Sequence, residues 1–367
     1  MKIALDVSCI ARAHRTGIGE YAYHLVNALA ESKGGHRYYL CYRLSRLKKK
    51  RFFHTVEQDN FRLKIIQEPF NFLFPRNIDV FHGLDARLPA FRGPQKVATL
   101  HDLFAMISTD FADPAFIKKK VDRYRRLARQ AGRIIAVSQS TRRDIVERLG
   151  VSEDKIDVIP LGVDPIFRPV PGDEAIATLR GHGIAGPYIL FVGNLETRKN
   201  LLRMLEAFRR LPAGLRRNLN FVLAGKQTYG GDKVRKTLEE KGLTRSVKTL
   251  GYVPGRHLPA LYSGAEAFMF PTLYEGFGIP IVESMACGTP VITSNLSANP
   301  EVAGDAALLV DPTDTDAIAE ALCRLLEEQK LRKTLSQRGL RRAARFTWRQ
   351  TAERTLEVYA KLAEPRA

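Results

Sequence analysis

Two consecutive α/β domains, each built on a parallel sheet, are predicted by three features of the sequence. Short apolar runs alternate with helical periodicity along the whole chain. A proline-rich stretch interrupts that alternation near the middle, and the same order of runs then begins again. At 367 residues the chain has room for two domains.

The opening KIALDV is a strand that leads through a loop, CIARAHRTGIG, into a helix from Glu20. Leu25, Val26, Leu29 and Ala30 give this helix an apolar stripe, and Gly34-Gly35 ends it. RYYLCY, LKIIQ, DVFHGL, KVATLHD and RIIAVS follow as strands. After RIIAVS a helix is expected with Ser140 or Thr141 as N-cap and Gly150 as its stop. KIDVIPLGV closes the half. The segment from Asp164 to Gly172, DPIFRPVPG, holds Pro165, Pro169 and Pro171. Proline at that density makes a stiff connection rather than an element interior, which puts the boundary at 164/165.

The second half repeats the grammar. YILFVGN, NFVLAGK, VKTLGYV, AEAFMFP, PVITS and AALLVDP are strands. Helical spacing covers Asn200 to Leu211, a stretch up to Gly242, and a short helix from Pro280. Three helical stretches finish the chain, the last over about 347–363. Two such halves imply a cleft between them, and open parallel sheets bind ligands beyond the carboxyl ends of their strands.

Composition narrows the class. With 45% hydrophobic and 26% charged residues, the chain can bury sizeable cores without staples. Cys9, Cys41, Cys287 and Cys323 are scattered, so neither a zinc site nor a redox pair is expected, and a reduced, cytoplasmic setting fits. The first residues are too weakly apolar for a signal peptide, and no stretch approaches a membrane span. The net charge of +19 favours polyanionic partners, and more than half of that excess falls before Asp164. In LSRLKKKRFFH, Leu44, Leu47, Phe52 and Phe53 lie beside Lys48, Lys49, Lys50 and Arg51, a pattern for docking on an anionic membrane surface. The second basic run, IKKKVDRYRRLARQAGR, looks helical and reads equally as a solvated face. No nucleic-acid module is present and aromatics are not interleaved with the basic runs, so nucleic acid is not expected as a partner.

Four motifs carry chemistry. GHGIAG, from Gly181 to Gly186, spells a dinucleotide fingerprint but precedes a strand and so fails its context. TGIGEY lies between a strand and a helix, where Gly17 and Gly19 suit either close approach to an anion or a simple tight turn. ETRKN follows YILFVGN directly, which brings Arg198 and Lys199 out at the carboxyl end of a strand. A guanidinium fork beside an ammonium can grip a diphosphate. In YEGFGIPIVESMACGTPVI, Glu275 enters the loop Gly276-Phe277-Gly278, Pro280 is placed as the first helical residue, and Gly288 ends the helix. That loop offers backbone amides at a helix N-terminus. Glu283 lies one turn further on among Ile279, Pro280, Ala286 and Cys287, where hydroxyl donors would be fitting partners.

These segments resemble the retaining glycosyltransferases of family 4, which have the GT-B fold. The resemblance rests on E-x7-E at Glu275 and Glu283, with GNLETRKN, TGIGEY, HDL at His101, AVS, IPLGVD and FTW in the same order. It implies two Rossmann-like α/β/α domains facing across a cleft. Residues 1–164 would bind the acceptor, 165–345 would bind a nucleoside diphosphate sugar, and a helix in 346–367 would pack back on the first domain. The resemblance gives Arg198 and Lys199 to the donor diphosphate, Glu283 to the ribose, and Glu275 to the sugar hydroxyls beside the amides of Phe277 and Gly278. Gly17 and Gly19 would face the diphosphate, His101 the transferring sugar, and Val253 the nucleotide. Many members have arginine after the strand glycine, where this chain has Asn194. The resemblance implies no cofactor and no metal. GNLETRKN is similar to the mannosyl-transferring branch, which points to GDP-mannose and to a glycan or lipid-linked acceptor in surface polysaccharide synthesis, at the inner membrane face. Rival readings are an epimerase or phosphorylase on the same fold, and a polyanion-binding protein without activity.

Overall fold

The computed structural model describes residues 1–32, 34–68, 70, 73–90 and 93–363. They form two compact units. The first comprises Met1–Ile107, Ala115–Gly162 and the chain from Thr347 onward; the second comprises Ser108–Pro114 and Val163–Phe346.

In the first unit the predicted strands form β1 (Lys2–Asp6), β2 (Arg37–Arg43), β3 (Phe61–Ile66), β4 (Val80–Gly83), β5 (Gln95–Leu100), β6 (Arg133–Ala136) and β7 (Ile156–Val158). They make one sheet in the order β3-β2-β1-β4-β5-β6-β7, with every pairing parallel. Ile3, Ala4 and Leu5 of β1 are fully buried, as expected where helices cover a parallel sheet. The helices are α1 (Gly17–Glu31), α2 (Phe104–Ile107), α3 (Pro114–Gln130) and α4 (Gln139–Leu149).

Two helix starts differ from the sequence reading. α1 begins at Gly17, not Glu20, with Thr16 as N-cap and Gly17 and Gly19 inside its first turn. Glycine is a poor helix former, but a Cβ at position 19 would stand 3.2 Å from the Cys9 carbonyl, so close packing selects it there. In α4 the N-cap is Ser138, whose Oγ accepts from the Thr141 N–H; Ser140 and Thr141 are buried in the first turn. β6 ends early enough for the chain to turn two residues sooner. Gly150 does end α4, in the left-handed region at φ 63°.

The first basic run forms 3-10 turns over Leu44–Phe52. Leu44 and Leu47 are exposed beside the four cations. Phe53 is not an anchor: it stacks on Tyr42 with centroids 3.7 Å apart, and Phe52 lies under the Arg51 guanidinium.

In the second unit the strands are β8 (Tyr188–Val192), β9 (Asn220–Ala224), β10 (Val247–Gly251), β11 (Ala267–Phe270), β12 (Val291–Ser294) and β13 (Ala307–Val310). Their order is β10-β9-β8-β11-β12-β13, again all parallel. Around them lie α5 (Gly172–Gly181), α6 (Leu201–Arg209), α7 (Ala213–Arg216), α8 (Asp232–Glu240) and α9 (Leu258–Ser263). α10 (Ile279–Ala286), α11 (Asn299–Ala303), α12 (Thr315–Glu327) and α13 (Gln329–Ala343) follow. α5 begins directly after the proline-rich stretch and has no counterpart in the sequence reading. In the GHGIAG segment, Gly183 and Gly186 take φ of 62° and 73° in the turn before β8, which explains the glycines without a phosphate.

The last helix, α14 (Trp348–Ala363), packs on α1 in the first unit, as the sequence reading had it. Trp348 stacks on His24 with centroids 5.1 Å apart. Tyr359 OH lies 2.6 Å from Nδ1 of His82, whose Nε2 is 2.8 Å from Thr99 Oγ1; Tyr21 OH is 2.9 Å from the same hydroxyl. His82 is fully buried, and burial pushes its pKa down to about 3, so it serves this chain as a neutral imidazole.

Candidate functional site

Strand order reverses between β8 and β11 in the second unit, and the site residues found there leave the carboxyl ends of those two strands. After β8 a short 3-10 turn over Thr197–Lys199 brings out Arg198 and Lys199. After β11 the loop runs to Glu275, Gly276 and Phe277, and Gly278 caps α10 at φ 94°. Ile279 is therefore the first helical residue and Pro280 the second, one position later than expected.

These two loops meet through charge. Lys199 Nζ is 2.6 Å from Glu275 Oε1, and Arg198 Nη1 is 3.2 Å from Glu275 Oε2. Arg198 also pairs with Glu196 at 2.7 Å and donates to the Tyr274 carbonyl at 2.8 Å. Lys199 and Glu275 are only 8% and 7% exposed, so each steadies the charge of the other in a poorly solvated place. Burial pushes the Lys199 pKa down, and the Glu275 carboxylate opposes that shift. Two cations and two carboxylates thus balance in one cluster, in which Lys199 and Glu275 are buried and Arg198 and Glu196 half-buried. A diphosphate arriving here would replace a carboxylate as the partner of cations already in place.

A buried framework holds the loops. Asn200 adopts the left-handed conformation, and its Nδ2 donates to the carbonyls of Pro271 and Pro312. The Glu275 N–H donates to Ser297 Oγ at 3.0 Å. Asn299 Nδ2 donates to Thr272 and Ser294 hydroxyls, which ties the loop after β11 to β12 and α11. Glu283 accepts a hydrogen bond from Tyr262 OH at 2.8 Å; burial, then the carboxylate itself, raises the Tyr262 pKa well above the usual phenol. Val253 is buried just past β10, where Lys226 Nζ lies over the ring of neighbouring Tyr252. Ser297, Asn299, Asn200 and Tyr262 were missed in the sequence. Only Asn200 carried a local signal, as a polar residue directly before a helix.

The other candidates belong to the first unit. Gly17 and Gly19 lie in the first turn of α1, and nothing stands within 4 Å of where a Gly17 Cβ would be. His101 directly follows β5. Its Nε2 is 3.0 Å from the Leu84 carbonyl, and its ring meets Tyr21 edge-on at 4.6 Å. Burial depresses its pKa, which favours the neutral ring.

Comparison with known proteins gives this geometry a family. The family model described as Glycosyltransferase Family 4 matches residues 15–167, and the one described as Glycosyl transferases group 1 matches residues 181–342. O-antigen chain mannosyltransferase B of Escherichia coli is 31% identical over 77% of this chain and 74% of its own. Serotype-specific mannosyltransferase WbdA of Escherichia coli is 30% identical over 75% of this chain, which spans about a third (34%) of that longer protein. Among solved structures, sucrose-phosphate synthase from Thermosynechococcus elongatus superposes with a TM-score of 0.79 over 98% of both chains, at 22% identity. The chain therefore belongs to glycosyltransferase family 4, as a mannosyltransferase-like glycosyltransferase with the GT-B fold.

Proposed function

We propose that the chain transfers mannose from GDP-mannose to a hydroxyl of a glycan or lipid-linked saccharide, with retention at the anomeric carbon. The observation that carries this reading is the charged cluster of Arg198, Lys199 and Glu275 at the strand reversal of the second sheet. Mannosyl transfer to a surface polysaccharide is supported by the names of the two Escherichia coli relatives.

In this reading Arg198 and Lys199 hold the diphosphate, with the Phe277 and Gly278 amides at the N-terminus of α10 beside them. Glu283, steadied by Tyr262, takes the ribose hydroxyls, and Val253 borders the nucleotide. Glu275 takes the sugar hydroxyls. The bond from the anomeric carbon to the diphosphate oxygen breaks, and that oxygen gains negative charge opposite fixed cations. The acceptor hydroxyl attacks from the same face and passes its proton to the departing phosphate. GDP leaves, and no divalent ion is required because Arg198 and Lys199 supply the counter-charge.

A thermal-shift panel of sugar nucleotides tests the donor. GDP-mannose should raise the unfolding temperature more than UDP-glucose or UDP-N-acetylglucosamine does; a larger shift with a uridine nucleotide sinks the donor assignment. Turnover should stay within about twofold when a chelator is added, well under 1.4 kcal/mol in the barrier. Activity that is lost to the chelator and returns with magnesium or manganese sinks the roles of Arg198 and Lys199.

We also propose that the first unit docks on anionic membrane through Leu44, Leu47 and the cations Lys48 to Arg51, all exposed. Among the described residues no helix is long and apolar enough to cross a membrane. Changing the four cations to glutamine should weaken binding to phosphatidylglycerol vesicles while leaving donor affinity unchanged. Equal binding of the parent chain to neutral and anionic vesicles rules the surface out.

A further inference from the structure

The second basic run of the sequence forms α3, where Lys118, Lys119, Arg125, Arg126 and Arg129 are all exposed. Its C-terminal end is not a flat solvated face. Arg125, Ala128 and Arg129 line a cavity of about 430 Å³ together with Leu149, Val151 and Lys155, from the turn that leads out of α4 into β7. The cavity lies wholly in the first unit, at the amino ends of β6 and β7. That is the end of the sheet opposite to the carboxyl ends, where parallel sheets ordinarily bind substrates.

The lining carries positive charge and nothing to balance it. Arg125, Arg129 and Lys155 are exposed, and among the described residues none of their side chains has an ion-pair or hydrogen-bond partner. No carboxylate is among the described residues that line the cavity. Nearby acids are engaged elsewhere: Glu153 pairs with Arg142 at 2.6 Å, and Asp157 with Arg133 at 2.5 Å and Lys361 at 3.2 Å. Asp122 and Asp154 make no ion pair, but neither lines the cavity. Arg125 and Arg129 stand four positions apart on one face of α3, where like charges repel and an anion between them relieves the repulsion. The ends of α3 and α4 work the other way, since each helix C-terminus carries about half a negative charge. Together they offset about one of the three cations, which leaves a clear excess for an anion. Two guanidinium forks and an ammonium suit the three terminal oxygens of a phosphate monoester. Ala128, Leu149 and Val151 supply an apolar wall for the carbon skeleton that bears it.

We propose that this cavity is a phosphate-ester site, in which Arg125, Arg129 and Lys155 grip the phosphate. It is built from other residues than the proposed donor site and stands independently of the donor reading.

Inorganic phosphate is titrated by calorimetry into the parent chain and into Arg125→Gln, Arg129→Gln and Lys155→Gln, singly and combined. Each single change should weaken phosphate binding about threefold, and the triple change about tenfold or more. Phosphate held elsewhere in the molecule binds parent and variants alike, so the difference reports on this cavity, and GDP affinity should not change. The three side chains are exposed, so the unfolding temperature should stay at the parent value; the single variants carry the test if the triple variant falls below it. Arg126→Gln is the control, because Arg126 is exposed on the same helix but does not line the cavity. Phosphatidylcholine vesicles containing phosphatidic acid, a phosphate monoester, identify the source. If the triple variant binds them more weakly than the parent does, the ester is borne on lipid; if only inorganic phosphate binding falls, it is soluble. Phosphate binding that is absent from the parent, or equal in parent and triple variant, overturns the proposal. So does Arg126→Gln weakening phosphate as much as Arg125→Gln, which would show a diffuse surface charge in place of a site.

Discussion

Glu275→Gln should lower kcat by about 10²-fold or more while the free nucleoside diphosphate binds at least as tightly as to the parent at neutral pH. In the proposed reading the carboxylate faces the sugar, where positive charge develops as the bond breaks, and glutamine cannot answer that charge. The same carboxylate competes with phosphate for Lys199 and Arg198, so its loss frees cations for the ligand. A pH signature accompanies the change. Burial pushes the Lys199 pKa down and Glu275 pulls it up, so without Glu275 the pKa falls further. Protonated Lys199 is the form that binds phosphate, and its population declines as pH rises through that pKa. Nucleotide affinity should therefore decline at lower pH in Glu275→Gln than in the parent. Glu283→Gln provides the contrast: the ribose contact proposed for it would exist in ground and transition states alike, so the change should raise KM more than it lowers kcat. Steady-state kinetics with calorimetry from about pH 6 to pH 9.5 decide this. Lost nucleotide affinity in Glu275→Gln beside normal affinity in Glu283→Gln would reverse the two roles.

Gly225→Ala should cost about 3 kcal/mol or more, lowering the unfolding temperature by about 6–12 °C, and should weaken donor binding with it. A Cβ at Gly225 would stand 1.7 Å from the Gly193 carbonyl oxygen, and φ there is 155°. The surrounding hydrogen bonds leave little room to yield: Gly193 N–H donates to Ala224 O and Gly225 N–H to Gly251 O. Those contacts draw together the loops leaving β8, β9 and β10, from which Arg198 and Lys199 emerge. Gly214→Ala in α7 is the control, since nothing lies within 4 Å of its Cβ position. Thermal unfolding of the two variants side by side gives the answer, and equal stabilities would show that the loops tolerate separation.

The central strands were legible because they are nearly unbroken apolar runs, such as YILFV in β8 and AFMF in β11, whereas the edge strands β3 and β10 carry polar residues among the apolar ones. E-x7-E and ETRKN were legible because each is local. What joins them is not local. Lys199 meets Glu275 across 76 positions, and Tyr262 reaches Glu283 from a different helix. No spacing rule links such residues; only the sheet order puts β8 beside β11. Phe53 looked like part of an apolar membrane edge for the same reason, since its stacking partner Tyr42 sits on a neighbouring strand. α5 escaped notice because its residues lie between the proline-rich stretch and the glycines of GHGIAG, where neither pattern assigned an element.

The contact between Tyr359 and His82 has a temporal consequence. The two residues are 277 positions apart, and the imidazole they enclose is fully buried. During synthesis from the N-terminus, β1 to β7 are complete long before α14 exists, and until then one nitrogen of His82 lacks the hydroxyl that later meets it. The nascent first unit must therefore wait, incompletely closed along α1, while the entire second unit is translated. Synthesis at roughly 5–20 residues per second makes that interval at least about ten seconds. The half of the enzyme made first is thus the half that finishes folding last, when Trp348 and Tyr359 have left the ribosome.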